Sequence, residues 1–151
     1  MRVLALLDEV SPRALDIAQL AYLDYCMLHS GEFGGPGSLH PTLPAGPGEL
    51  GVKRKLIESG LQLMLRASMV EVRAERIGIV YAASDSAEGF LNVLDSKYIE
   101  DLKVRAKWVA GEIASMNEQN LGEAMKRIYA TWARGSSTST QTLLGEEASG
   151  E

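Results

Sequence analysis

The residues best suited to chemistry lie close together in the first third of the chain: Cys26, His29, Glu32 and His40. A cysteine and a histidine three residues apart share one face of a helix, and residues of a following loop could complete a site around an ion. The pattern therefore allows a metal site of Cys26, His29 and His40, with Glu32 as a fourth ligand. Alternatively, Cys26 and His29 could act as nucleophile and base, which requires an exposed thiol in an electropositive setting.

Structural roles are the alternative for each of these residues. A zinc site usually has paired ligands at both ends, and this chain has no second pair. Cys26 lies among Tyr25, Met27 and Leu28, which indicates a buried apolar thiol, and the two histidines could fix a loop by hydrogen bonds. We therefore expect no catalytic residue, no metal and no cofactor.

The loop that carries both histidines, HSGEFGGPGSLHPTLPAGPGE from His29 to Glu49, contains six glycines and four prolines. A phosphate-binding loop needs a lysine and a hydroxyl residue between a strand and a helix, whereas this loop has no lysine and follows a helix. A dinucleotide-binding loop is excluded because no strand precedes it. The composition indicates a connector with unusual turns. We predict that valine at Gly34 or Gly35 damages folding or assembly, whereas His40→Ala leaves both nearly intact.

Length and composition predict a single domain, residues 1–134, followed by a flexible tail, residues 135–151. The chain has 151 residues, 46% of them hydrophobic and 23% charged, as in folded domains. The net charge of −5 disfavours a general nucleic-acid binder. A single cysteine cannot form an internal disulfide, and no apolar run approaches the ~20 residues of a membrane span. We expect a cytoplasmic protein without membrane contact.

Hydrophobic periodicity divides the chain into helices and one hairpin. The predicted elements are a helix from Pro12 to Leu28, entered through Ser11; a helix from Gly48 to Ala67; two strands with the apolar sets Val70, Val72, Ala74 and Ile77, Ile79, Tyr81; a short helix with a capping box of Asp85 and Glu88; a long helix capped by Ser96, with an apolar seam from Ile99 to Met116; and a last helix capped by Asn120, with Glu123. This order predicts a mainly α (α+β), winged-helix-like domain with a two-stranded hairpin wing and additional C-terminal helices.

Basic residues surround the helix before the hairpin and the hairpin itself, where a winged helix can contact a phosphate backbone. The candidate DNA contacts are Lys53, Arg54, Lys55, Arg66, Arg73 and Arg76. Three consecutive helical residues span ~200° of arc, so the first three cannot all face one surface. A solvated charged face is therefore the alternative to DNA contact.

Apolar and aromatic residues mark a second candidate surface, suited to protein partners. Its members come from the glycine-rich loop and the last helix: Phe33, Leu39, Leu121, Met125, Ile128 and Trp132. The alternative is that the last helix packs back on its own domain. A homodimer is also compatible with the sequence.

Three blocks carry a family resemblance: LDYCMLHSGEFGGPGSLHPTLP, GELGVKRKLIESGLQLMLRASMVEV and LDSKYIEDLKVRAKWV. Over roughly Leu20 to Ala110 the chain resembles the middle component of bacterial ABC-three-component systems. The resemblance implies a small winged-helix-like protein, encoded between an SMC- or Rad50-like ABC ATPase and a third component. It also implies a system associated with defence against phage or other foreign DNA, and it brings no catalytic residues with it.

We therefore expect a non-enzymatic adaptor that bridges partners in such an ATPase complex, with DNA contact through the basic residues named above. A stand-alone winged-helix DNA-binding regulator is the first alternative. A metal or thiol enzyme around Cys26, His29 and His40 is the second.

Overall fold

The computed structural model describes residues 1–40, 49–76 and 78–130, and within these ranges the protein is mainly helical. In chain order the elements are α1 (Arg2–Val10), α2 (Ile17–Leu28), a short 3₁₀ helix (Ser30–Phe33), α3 (Glu49–Arg66), β1 (Val70–Glu75), β2 (Gly78–Ala83), α4 (Ala87–Val93), α5 (Lys97–Ala114) and α6, which covers residues 118–130. The predicted domain end at Arg134 and the predicted tail lie outside the described residues. None of the helices in these ranges is long and apolar enough to span a membrane.

The apolar start of the chain forms α1, which the sequence pattern left unassigned. Six of its residues are buried: Val3, Leu4, Ala5, Leu6, Leu7 and Val10. A helix that is apolar over most of its surface belongs in a core, and α1 packs against α5, α2 and β2. The N-terminal residues therefore form the centre of the fold.

The predicted start of the next helix at Pro12 is wrong, because α2 begins only after Asp16. The Asp16 carboxylate accepts a hydrogen bond from the Gln19 backbone N–H at 2.7 Å, and the Gln19 side chain accepts one from the Asp16 N–H at 3.0 Å. This capping box fixes the helix start. The preceding backbone is extended, since Leu15 exchanges hydrogen bonds of 2.9 and 2.8 Å with Tyr81 of β2.

The predicted hairpin is present, with β1 and β2 antiparallel and Val70 opposite Ala83. The predicted apolar set of β2 is wrong in one respect: Val80 is buried, whereas Ile79 is exposed. Ile79 lies opposite Ala74 near the tip of the hairpin, and Val80 lies on the other face of the strand. The predicted face packs against the core at the inner end of the hairpin, through Val70 and Tyr81, and the opposite face is also buried at Val80.

Two of the three predicted caps in the second half of the chain are wrong. Ser86 occupies the N-cap of α4 without a side-chain cap, so the expected capping box of Asp85 and Glu88 does not form. At α5 the predicted cap is confirmed, because the Ser96 hydroxyl accepts a hydrogen bond from the Ile99 N–H at 3.2 Å.

The start of α6 is shifted relative to its prediction. Asn117, rather than Asn120, carries the capping group: its side-chain oxygen accepts a hydrogen bond from the Asn120 N–H at 2.8 Å. Both residues are asparagines three positions apart, so each fits the cap preference and only the hydrogen bond distinguishes them.

The seam of α5 is confirmed, with Leu102, Ala106, Val109 and Ile113 buried. This helix packs along α1 and α2 and closes the core. The structure confirms the mainly helical α+β class with a two-stranded hairpin, and the arrangement is consistent with a winged-helix-like domain. In such a domain α3 occupies the position of the helix that enters a DNA groove.

Candidate functional site

Residues 29–40, which we call the docked loop, are held in shape by their own hydrogen bonds. Gly34 ends the 3₁₀ helix with φ +79°, a left-handed conformation that favours glycine. The Ser30 hydroxyl donates to the Pro36 carbonyl at 2.8 Å, and the Ser38 hydroxyl accepts from the Gly31 N–H at 3.1 Å. These bonds make the loop an ordered connector.

The docked loop packs against α5 at two points. The Arg105 guanidinium donates hydrogen bonds to the Gly37 carbonyl, and Gly35 lies directly against the Trp108 ring. A Cβ atom at Gly35 would lie 2.5 Å from the Trp108 ring, closer than such contacts occur. The glycine is therefore required by packing, and the loop and α5 form one unit.

Cys26 has the properties of a structural cysteine. Burial raises the pKa of its thiol to about 12, although the neighbouring Tyr22 hydroxyl acts in the opposite direction. Burial also raises the pKa of Tyr22, with Cys26 contributing. A nucleophilic cysteine needs the reverse, because the thiolate is the reactive form. The arrangement therefore does not activate Cys26.

The two histidines do not form a ligand set with Cys26. His29 stacks on Tyr25 with ring centroids 4.5 Å apart, and its Nδ1 lies 3.8 Å from Glu32 Oε1, which is too long for a hydrogen bond. Burial, and then the charge of Arg2, lower the pKa of His40. Within the described ranges no group of three or more His, Cys, Asp or Glu side chains is placed to hold a metal ion.

A shallow groove between α2 and α5 passes beside Cys26. Its volume is about 140 Å³, and its lining includes Tyr22, Phe33, Trp108 and Glu112. Pockets for small-molecule ligands usually measure ~300 Å³ or more. The groove therefore lacks the size of a typical cofactor site.

Lys53, which the sequence suggested as a DNA contact, lies in an internal ion pair. Its Nζ is 2.6 Å from Asp24 Oδ2, and the Asp24 side chain is only 1% exposed. Arg2 Nε approaches the other carboxylate oxygen at 2.9 Å. One buried carboxylate thus links α1, α2 and α3, and Lys53 stabilises the fold through this ion pair.

The remaining basic candidates are exposed but dispersed. On α3 these are Arg54, Lys55 and Arg66, and on the hairpin strands and turn they are Arg73 and Arg76. Arg73 lies 3.5 Å from Glu71 on its own strand. The run of three basic residues on α3 is therefore divided between the interior and the surface, as its 200° arc requires.

The most distinctive surface feature is a row of exposed aliphatic side chains on α3, which we call the α3 stripe. Val52, Leu56 and Leu63 are 60%, 63% and 61% exposed. At 100° per residue the three fall within about 40° of arc, so they form a single line. The opposite side of α3 supplies Ile57 and Leu61 to the core.

Sequence reasoning missed the α3 stripe, although a signal was present. Leu56 and Leu63 lie apart from the core-facing Ile57 and Leu61, and α3 has more apolar positions than one face can hold. A second apolar line on the side of the helix opposite a complete core-facing line indicates a second contact surface. The hairpin adds two more exposed aliphatic side chains, Val72 and Ile79.

The predicted partner surface is largely folded back on the domain. Leu121 is fully buried, and four other members pack partly buried against the core: Phe33, Leu39, Met125 and Ile128. The Tyr129 hydroxyl also donates to the Ala18 carbonyl at 2.8 Å, which fixes α6 on α2. Trp132 lies outside the described residues. The alternative, in which the last helix packs back on its own domain, therefore holds for Leu121.

A family model described as ABC-three component (ABC-3C) system Middle Component 2 matches residues 1–135. No curated protein and no solved structure matches the chain. The match includes both the docked loop and the α3 stripe.

Proposed function

The chain belongs to the ABC-three-component system Middle Component 2 family, and from this premise we propose that it is a non-enzymatic, cytoplasmic adaptor. It bridges an SMC- or Rad50-like ABC ATPase and the third component of its system. The complex acts in defence against phage or other foreign DNA. Membership of the family implies that the chain is one component of a multi-component system. The adaptor role is our proposal.

The α3 stripe is the observation that carries the proposal. A helix that reads DNA presents polar and charged side chains to base edges and phosphates. In the equivalent position this chain presents Val52, Leu56 and Leu63, each more than half exposed. A row of exposed aliphatic residues on a folded domain is typical of a protein contact.

The chemistry-bearing residues support a role without catalysis. Asp24 is paired with Arg2 and Lys53, and the thiol of Cys26 is buried with a raised pKa. General acid–base or nucleophilic catalysis needs such groups in a cleft with access to substrate. The described residues place them between helices, where they stabilise the fold.

Purification of the assembled system tests the adaptor role. The chain is co-expressed with the ATPase and the third component encoded beside it, and a tag on the chain is used for capture. Size-exclusion chromatography should show the three proteins in one peak at a fixed ratio. A chain that elutes alone as a monomer in the presence of both would refute the proposal.

A stand-alone DNA-binding regulator is the second candidate, favoured by the exposed side chains of Arg54, Lys55 and Arg66 on α3. Fluorescence anisotropy with duplex DNA should then show binding that weakens as salt rises and as Arg54 and Lys55 become alanine. Lys53 is unsuitable for this test, because its loss removes a partner of Asp24. Absence of salt-sensitive binding would exclude the regulator.

A further inference from the structure

We propose that the α3 stripe receives an amphipathic helix of another component, whose apolar face is flanked by acidic residues. This inference rests on the proposed adaptor function and specifies its partner. The stripe consists of Val52, Leu56 and Leu63, and its flank carries Lys55 and Arg66.

The shape of the stripe fits a helix. Its side chains follow one line with spacings of four and seven residues, and at 1.5 Å per residue they extend about 16 Å, or three turns. Apolar residues at helical spacing on a partner can interdigitate with such a row. An added strand would instead need free backbone N–H and C=O groups, which the interior of an α-helix does not offer.

The charge beside the stripe defines the acidic flank of the partner. At 100° per residue, Lys55 and Arg66 lie about 40 to 100° around α3 from the three stripe residues, on the solvent side of the stripe. Among residues 51–66 of α3 the exposed charged side chains are Arg54, Lys55 and Arg66 and the acid Glu58, although the whole chain has a net charge of −5. Carboxylates on the incoming helix would complement this local positive charge.

The same charges disfavour a second copy of this chain as the occupant. A two-fold contact through α3 would place the same surface of two copies together. The basic residues Lys55 and Arg66 of one copy would then approach the same basic residues of the other. DNA satisfies the charges but leaves three exposed aliphatic side chains against polar phosphates and base edges. An acidic amphipathic helix would cover the aliphatic side chains with its apolar face and pair its carboxylates with the basic side chains.

Substitution of Leu56 tests the apolar contact. Leu56→Asp is compared with Val93→Asp, because Val93 is also an exposed aliphatic residue on a helix, 78% exposed on α4. Both variants should keep the thermal midpoint of the wild-type chain. With the co-expressed ATPase and third component as the probe, Leu56→Asp should weaken capture by about tenfold or more, as expected for a lost anchor, and Val93→Asp by less than about twofold.

Charge reversal tests the acidic flank. Arg66→Glu should weaken the complex more at low salt than at high salt, because the attraction is screened. Lys107→Glu, an exposed change of the same sign on α5, should have little effect at either concentration.

The outcomes separate this inference from the proposed function. A complex that forms with normal affinity in Leu56→Asp overturns the α3 helix site and leaves the adaptor role intact. A complex that never forms overturns both. If Leu56→Asp loses self-association and still binds the other components, a second copy is the occupant. If it loses only DNA binding, the occupant is DNA. Either result rejects the proposal.

Discussion

Gly35→Ala should destabilise the protein through a single contact, the ring of Trp108. A Cβ atom at Gly35 would lie 2.5, 2.6 and 2.7 Å from the Cε2, Cζ2 and Cδ2 atoms of that ring. Gly34 and Gly78 are the glycines with positive φ in the described ranges, so Gly35 needs no special backbone conformation. The whole effect of the substitution should therefore come from crowding.

The expected cost is about 1–3 kcal/mol, the usual penalty for overpacking a well-packed site. The loop cannot move away from the ring easily, because Arg105, about one turn before Trp108 on α5, donates a hydrogen bond to the Gly37 carbonyl. In a domain of this size each kcal/mol lowers the thermal midpoint by roughly 2–4 °C. Gly35→Ala should thus be visible in a thermal scan.

A double-mutant cycle measures the contact directly. Gly35→Ala, Trp108→Leu and the double variant are compared with the wild type by urea unfolding, and the coupling energy should account for most of the cost of Gly35→Ala. Gly37→Ala is the matched control, since a Cβ there meets nothing within 4 Å. Gly34→Ala should cost about 1–2 kcal/mol through its positive φ, without coupling to Trp108.

Two results would contradict this reasoning. If Gly35→Ala costs the same with leucine at position 108 as with tryptophan, the ring is not the cause. If Gly35→Ala is no more harmful than Gly37→Ala, the loop does not depend on close packing against α5.

Three further predictions concern Asp24, Cys26 and His40. Asp24→Asn should cost about 3–5 kcal/mol in urea unfolding, because it removes the charge that compensates Arg2 and Lys53; an unchanged midpoint would show that the pair is dispensable. Raising the pH from about 9 to about 12 should lower the free energy of unfolding, because burial raises the pKa of the Cys26 thiol from its ordinary value of 9.0 to about 12 and the unfolded chain then loses its proton first. The Cys26→Ala variant should lose this part of the pH dependence. His40→Ala should keep the wild-type midpoint and metal content, and loss of a bound metal in that variant would restore the metal-site hypothesis.

Sequence patterns predicted those parts of the fold that depend on neighbours along the chain. The α5 seam and the Ser96 cap follow from spacing within one helix, and both are present. The start of α2 was wrong because the extended backbone before it is fixed by Tyr81, far away in sequence. Local preference for a helix start at a serine–proline pair could not reveal this pairing.

The candidate site shows the same limit. Lys53 looked like a surface base because its sequence neighbours are basic, and only the position of Asp24 on another helix makes it an internal partner. Leu56 is as apolar as its neighbour Ile57, yet it is exposed because Ile57 and Leu61 occupy the inner face of α3. Burial of each side chain depends on the packing of several helices.

The contact between Gly35 and Trp108 also has a consequence for how the two positions vary among relatives. The two residues are distant in the chain, yet the Trp108 ring fills the space that a side chain at position 35 would need. Because the packing is close, a change at either position alone should lower stability. Relatives that carry a side chain at the position of Gly35 should therefore carry a smaller residue in place of Trp108. Such paired replacement would allow remote members of the family to be recognised where the loop and the helix have otherwise diverged.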